Sequence, residues 1–397
     1  MSASLRASLH DLLHPSPKTV PGLDLLRSMA VLLVMSGHWG DLCGRYTVGS
    51  GAAILKLPLF HFGWTGVDLF FVLSGFLIGG QLWRELSRTG TVDLPRFLLR
   101  RGMRIWPYYF AFLAFMLAFM IDVGWRSSLQ THGWRQFLPD LFFLSNYMQG
   151  GVSGGWSLST EEQFYVAVPL ALLLVRRWPL RWQWVVPTLA LCLLPVLRYL
   201  AVRHFGRSPG PDNPFVIYSP FHTHADGLAV GLLVAWAAVA VPKLMTPLTT
   251  ARNLLFAVPI VAVALVLRSC SQDVFSFSAL ALIYGAMAVF ALRDTSIFSR
   301  FAGWRPFYVI SRLSYAMYLN HFLLVEGPAQ GFIAAHRGGY TTFLVGYVGM
   351  IALSMAIATV TFLLIESPFL QWRERLFASD RSGSALPRES GPVPLRT

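Results

Sequence analysis

Apolar stretches near 20 residues recur along the chain, separated by short polar or arginine-rich segments. At 1.5 Å rise per residue, about 20 apolar residues cross the hydrocarbon of a bilayer. The pattern predicts membrane helices at roughly 23–42, 60–83, 105–123, 162–176, 182–200, 225–241, 252–268, 275–292, 309–327 and 341–365. The stretch at 162–176 is short and needs flanking residues to cross. A further apolar patch at Phe137–Asn146 is too short to span and reads as an interfacial or re-entrant piece. The expected fold class is all-α: a polytopic transmembrane helical bundle of about 10 spans.

An even number of spans puts both termini on one side. With the N-terminus inside, Arg84, Arg88, Arg96, Arg100, Arg101 and Arg104 share one cytoplasmic loop, and most of the 32 Lys and Arg residues fall inside. The expected topology is N-in/C-in. The expected organisation is a cytoplasmic segment 1–22, a membrane body 23–368 and a cytoplasmic tail 369–397. That tail, rich in Ser, Gly and Pro from Ser379 onward, is expected to be partly disordered. The first 22 residues, with Pro15, Pro17 and Pro21, lack the apolar core of a cleavable signal peptide.

Composition agrees with this pattern. The chain is 55% hydrophobic and 13% charged, against about 25% charged in soluble domains. The net charge of +13 is accounted for by topology and by anionic membrane lipid as a partner. No basic soluble domain is present to bind nucleic acid. Cys43, Cys192 and Cys270 show neither metal nor redox spacing.

Polar residues inside the apolar stretches carry the candidate chemistry, because charge at bilayer depth is costly. Arg27 and His38 bracket an apolar run. Their spacing is about three helical turns, so they share one face about 16 Å apart along the axis. Asp24 stands at i−3 from Arg27 and can pair with it. Each residue alone reads equally as an interfacial anchor or a packing residue; on one face they favour function. Arg101 and Arg104, again at i,i+3, can present guanidinium forks to one phosphate-bearing ligand, or can serve topology and lipid phosphate. Asp68 lies within an apolar helix and needs a partner, either His38 or an arginine. The adjacent Ser74-Gly75 reads as a site of close helix contact.

The stretch Trp156-Ser157-Leu158-Ser159-Thr160-Glu161-Glu162-Gln163-Phe164-Tyr165 follows a glycine-rich segment. In one reading a hydroxyl caps the next helix and the two Glu occupy its first turn. In the other, Glu161 is an acid that contacts an acceptor or tunes His38, with Tyr165 on its face at i+4. His222-Thr223-His224-Ala225-Asp226 lacks a second ligand cluster, so no metal is expected. Arg312, Ser314, Tyr315, Tyr318, Asn320 and His321 stripe a late helix, and His321 is either a second candidate base or a packing residue. Glu366-Ser367-Pro368 reads as a helix stop with its charge at the interface.

In this order, these motifs resemble the membrane acyltransferase 3 family, which includes bacterial O-antigen and exopolysaccharide O-acetylases and macrolide acyltransferases. The matching stretches are Leu23–Arg27 with His38, Gly66–Ile78, Arg101–Tyr109 with Arg104 and Pro107, Trp156–Tyr165, Ser314–His321 and Glu366–Pro368. They run nearly the whole chain. The resemblance implies an acyltransferase that moves an acyl group, usually acetyl from acetyl-CoA, to an acceptor hydroxyl without a metal. It implies a multi-pass protein of the bacterial inner (plasma) membrane, acting on an envelope or exported polysaccharide or a lipid-linked saccharide. His38 then looks like the catalytic residue and Arg27, Arg101 and Arg104 like the residues that hold acyl-CoA. Glu161 joins His38 as a catalytic candidate. Asp24, Asp68, Trp156, Tyr165, Tyr315 and His321 are supporting or substrate-binding candidates. One departure is His224, where the resemblance leads one to expect Arg before Ala225-Asp226. The competing readings are a macrolide or other small-molecule acyltransferase and, in another class, a transporter or flippase without group transfer.

Overall fold

The computed structural model of the protein describes residues 3–15, 19–46, 56–122, 133–148, 150–152, 154–205, 217–243, 245, 262, 274–292, 301–336 and 340–377. The predicted span 252–268 (Ala262 apart), Cys270 and the tail from Ser379 lie outside these residues. The described residues are helical, with no strand among them. The main helices are α1 (Ala3–Leu13), α2 (Pro21–Tyr46), α3 (Gly66–Thr89), α4 (Leu94–Asp122), α5 (Gly155–Leu174), α6 (Val185–Phe205), α7 (Asp226–Ala240) and α8 (Ser276–Ala291). They continue with α9 (Arg305–Leu324), α10 (Gln330–Ala335), α11 (Tyr340–Thr361) and α12 (Ser367–Leu376). Two π-helical turns, Val325–Ala329 and Phe362–Glu366, sit between the last of these.

Helices therefore stand at each predicted span that the described residues cover. Three stretches among them are long and apolar enough to cross a membrane: Gly63–Thr89, Leu180–Phe205 and Tyr340–Leu376. Helices α7 and α8 are apolar but shorter. Helices α2, α4 and α9 carry the polar residues of the candidate site. The segment read as an arginine loop is largely helix. Helix α3 runs to Thr89, Gly90 turns with φ 71°, and α4 already begins at Leu94. Asp93 caps it, its carboxylate accepting from the Arg96 amide at 3.1 Å.

The chain clusters into two compact units: Met1–Val67, Arg100–Phe112 and Asp294–Thr397 in the first, Asp68–Leu99 and Leu113–Arg293 in the second. In the first unit α9 packs against α2 and α11. The core face of α2 is the Leu26, Ala30, Val34 stripe, each fully buried, as the i,i+4 period requires. Leu313, Ala316, Met317 and Leu319 of α9 are buried likewise.

In the second unit α7 packs against α6 and α8. Leu189, Leu193, Val196 and Leu200 form an exposed apolar stripe along α6, a face suited to lipid. Helices α3 and α7 cross at small residues. A methyl group on Gly231 would lie 2.2 Å from the Val72 carbonyl oxygen, and one on Gly75 2.2 Å from that of Leu228. The expected close contact at Gly75 is thus present. Gly231→Ala is expected to push two backbones apart and cost about 1–3 kcal/mol, read as a lower unfolding temperature in detergent. An unchanged melt would remove the argument for that crossing.

The glycine-rich segment before α5 is shaped by Asp140. Its carboxylate accepts from Ser145 Oγ (2.7 Å) and from the amides of Gly151 (2.6 Å) and Val152 (3.1 Å). Burial pushes this carboxyl up to about 6, despite those donors. Gly154 then turns with φ 74°, a left-handed conformation that suits glycine, and α5 starts at Gly155.

Candidate functional site

The first unit gathers most of the predicted residues. Helix α2 supplies Asp24, Arg27 and His38 on one continuous helix, as their spacing requires. Asp24 accepts from Ser311 Oγ of α9 at 2.6 Å and lies in the field of Arg27 and Arg312. Ser28 fixes the same contact from the next turn, reaching the Phe307 carbonyl at 2.6 Å. The start of α4 brings Arg101 and Arg104. Arg104 stands in the field of Arg27, Arg101, Arg312 and Arg373. Tyr315 ties α9 to α4, donating to the Ile105 carbonyl at 3.1 Å with its ring against Tyr108.

His38 meets His321. Nε2 of His321 lies 3.1 Å from Nδ1 of His38, and the other ring nitrogen of His321 lies 3.2 Å from the Met317 carbonyl. A carbonyl only accepts, so Nδ1 of His321 carries a proton. In the neutral ring Nε2 of His321 is then the acceptor, and Nδ1–H of His38 donates to it. The remaining nitrogen of His38, Nε2, holds a lone pair. The two rings are not equivalent in access: His321 is 0% exposed, whereas His38 is half-buried. His321 is thus the fully buried partner of the half-buried His38 ring. Phe322 packs edge-on against the His38 ring, 4.7 Å between centroids.

Arg312 and Glu366 also belong here. Glu366, expected at the interface, is instead 8% exposed, inside the Phe362–Glu366 π turn and in the field of Arg104 and Arg312. The extra residue of a π turn rotates its side chain inward. The signal in sequence is a carboxylate at the end of an apolar run, where burial and interface read alike.

The second unit holds the other candidates. Asp68 pairs with His224, whose Nε2 lies 2.9 Å from Oδ1; both side chains are 0% exposed. Neither of the partners expected for Asp68 is the one seen, because sequence spacing carries no information on a helix that far along the chain. Nδ1 of His224 bonds the Tyr218 carbonyl at 2.5 Å. Trp156 stacks on His224 (centroids 5.6 Å, 17° between planes) and meets Phe71 edge-on.

Glu161 is held at both oxygens. Ser74 Oγ donates to Oε1 at 2.5 Å and Tyr165 to Oε2 at 3.0 Å. The capping reading fails here. Helix α5 starts at Gly155, so Glu161 lies in its second turn, and Ser159 bonds Gly155 O and Ser145. Among the described residues no group of His, Cys, Asp and Glu has the makings of a metal site. His224 and Asp226 turn to different partners.

Arg198 is absent from the sequence-based candidates. It is 0% exposed and forks onto Asp226, at 2.5 Å and 3.0 Å. It also donates to the carbonyls of Val274 (2.7 Å) and Thr223 (2.6 Å) and to Ser278 (2.8 Å). Ser278 in turn donates to Asp226. An arginine within the predicted span 182–200 is the signal that could have found it.

A family model described as an acyltransferase domain matches residues 20–363. An O-acetyltransferase OatA of Staphylococcus aureus (strain NCTC 8325 / PS 47) is 26% identical over 95% of this chain and 60% of its own length. A putative peptidoglycan O-acetyltransferase YrhL of Bacillus subtilis (strain 168) is 26% identical over 78% of this chain and 50% of its own. A peptidoglycan O-acetyltransferase OatA of Listeria monocytogenes is 27% identical over 41% of this chain and 26% of its own. The chain thus spans 60% or less of the length of these relatives. No solved structure matches it.

Proposed function

The chain belongs to the acyltransferase family whose domain model covers residues 20–363, and from that premise we propose that it moves an acetyl group from acetyl-CoA to a hydroxyl of an envelope glycan. The relatives bear peptidoglycan O-acetyltransferase names, which favours a glycan acceptor over a macrolide. Family membership makes the chain an acyltransferase, so a flippase without group transfer is set aside. The proposed frame is about ten spans with both termini cytoplasmic, in a bacterial inner membrane. Residues 23–368 form its acyltransferase body.

One observation carries the chemistry: the paired rings of His38 and His321, of which His38 is the half-buried one. In the proposed step the acceptor hydroxyl gives its proton to His38 Nε2 as its oxygen attacks the thioester carbonyl. The C–O bond forms and the C–S bond breaks. The leaving CoA thiolate takes the proton back from His38, which regenerates the base and releases CoA thiol. Arg27, Arg101 and Arg104 hold the CoA phosphates. Asp24 and Tyr315 position those arginines through α9 and α4. Within the second unit, Glu161 stays a catalytic candidate, and Tyr165, Trp156 and Asp68 stay substrate-binding or supporting candidates.

Purified protein given labelled acetyl-CoA and muramic-acid-containing glycan is expected to yield O-acetylated glycan. Failure with every envelope glycan, alongside acetylation of a small alcohol, would move the acceptor to another class. Arg104→Ala is expected to weaken acetyl-CoA binding by about tenfold or more, the worth of a charge-assisted pair. An unchanged Kd by calorimetry would count against the phosphate clamp.

A further inference from the structure

Two charged residues of the first unit have buried polar atoms with no partner: Glu366 Oε1, an acceptor, and Arg312 Nε, a donor. Unsatisfied buried polar atoms are rare in folded proteins, and each wants an explanation. Neither group is a stray. Arg312 lies in the field of Arg104, Arg373, Asp24 and Glu366, and its guanidinium sits 5.4 Å over the Phe362 ring, which fixes its plane. Glu366 is set by the π turn that also carries Phe362.

The surroundings are six guanidiniums (Arg27, Arg100, Arg101, Arg104, Arg312 and Arg373) against three carboxylates, Asp24, Glu366 and Glu374. Such an excess attracts a polyanion. A carboxylate retained within it does not bind phosphate. It accepts hydrogen bonds, so the ligand that completes the set offers both acceptors and a donor. Nearby, Asn320 bonds Ser354 (3.1 and 2.5 Å) and the Tyr108 side chain.

We propose that Arg312 and Glu366 form a second recognition element of the donor site: Arg312 takes a phosphate oxygen, and Glu366 Oε1 accepts from an N–H or O–H of the same phosphate-bearing molecule. This rests on the acyl-CoA reading above. A nucleotide thioester carries both features through its phosphates, ribose hydroxyls and amides. An aminophospholipid headgroup shares that chemistry, so the test must separate the two.

The full chain is placed in phosphatidylcholine nanodiscs, whose headgroup has no N–H or O–H. Acetyl-CoA and inorganic pyrophosphate are titrated into wild type, Arg312→Ala, Glu366→Ala and the milder Glu366→Gln. Arg312→Ala is expected to weaken both ligands. Glu366→Ala is expected to raise the acetyl-CoA Kd about tenfold or more, yet to leave pyrophosphate binding equal or tighter, since a negative charge has gone. Glu366→Gln is expected to move in the same directions by less. If Glu366→Ala weakens both ligands together, Glu366 serves folding alone and the proposal is overturned. So does wild-type acetyl-CoA affinity in a folded Glu366→Ala. An effect seen only when phosphatidylethanolamine replaces phosphatidylcholine assigns the pair to lipid and equally overturns it. Wild type that binds no acetyl-CoA in any bilayer sinks the donor reading itself.

Discussion

His38→Ala is expected to abolish acetyl transfer while the protein still inserts and still binds acetyl-CoA. The loss should reach at least about 10²-fold, the lower end of what a positioned base contributes. Donor binding should persist because Arg27 lies about three turns away along α2 and the other arginines stand on different helices. His321→Ala should lose less. It leaves His38 in place but removes the acceptor that holds Nδ1–H, so the ring is free to turn and part of its population presents the wrong nitrogen. Rates are read from labelled acetyl transferred per mole of folded protein. Full acetylation by His38→Ala would defeat the assignment.

The second large effect concerns stability. Arg198→Ala is expected to destabilise the protein by about 3–5 kcal/mol, because it strands the Asp226 carboxylate in a fully buried site. All five donors of this guanidinium are used: two on Asp226, one on Ser278 and two on carbonyls. Lysine lacks the fork and cannot reproduce that set, so Arg198→Lys should also lose stability. Arg198→Met with Asp226→Leu removes both charges and should recover much of the loss. Thermal unfolding in detergent measures all three variants. If Arg198→Ala melts with wild type, the pair is not what holds α6 to α7.

How much of this could be read from the chain depends on the range over which each signal acts. Helix periodicity places Asp24, Arg27 and His38 on one helix, and hydropathy locates the helices that the described residues cover. Those are local facts, written within a few turns. The partners are not legible. Asp68 meets His224, more than 150 positions along, and His38 meets His321 at a separation of 283. Side-chain chemistry says only that each needs a partner. Glu161 shows the middle case: its bond to Tyr165 at i+4 follows from the helix, and its bond to Ser74 does not. Glu366 escapes because periodicity assumes a regular α-helix where the chain winds wider.

That wider turn has a consequence for how the molecule can be altered. An α-helix advances about 100° per residue, and a π turn holds one residue more than the α-helical count. Phe362–Glu366 is therefore a ratchet tooth: it sets the angular phase of everything after it, Arg373 included. Deleting one residue there restores a plain helix and keeps α12 in phase, whereas winding the same residues as α-helix would turn α12 by about 100° and carry Arg373 off the cluster.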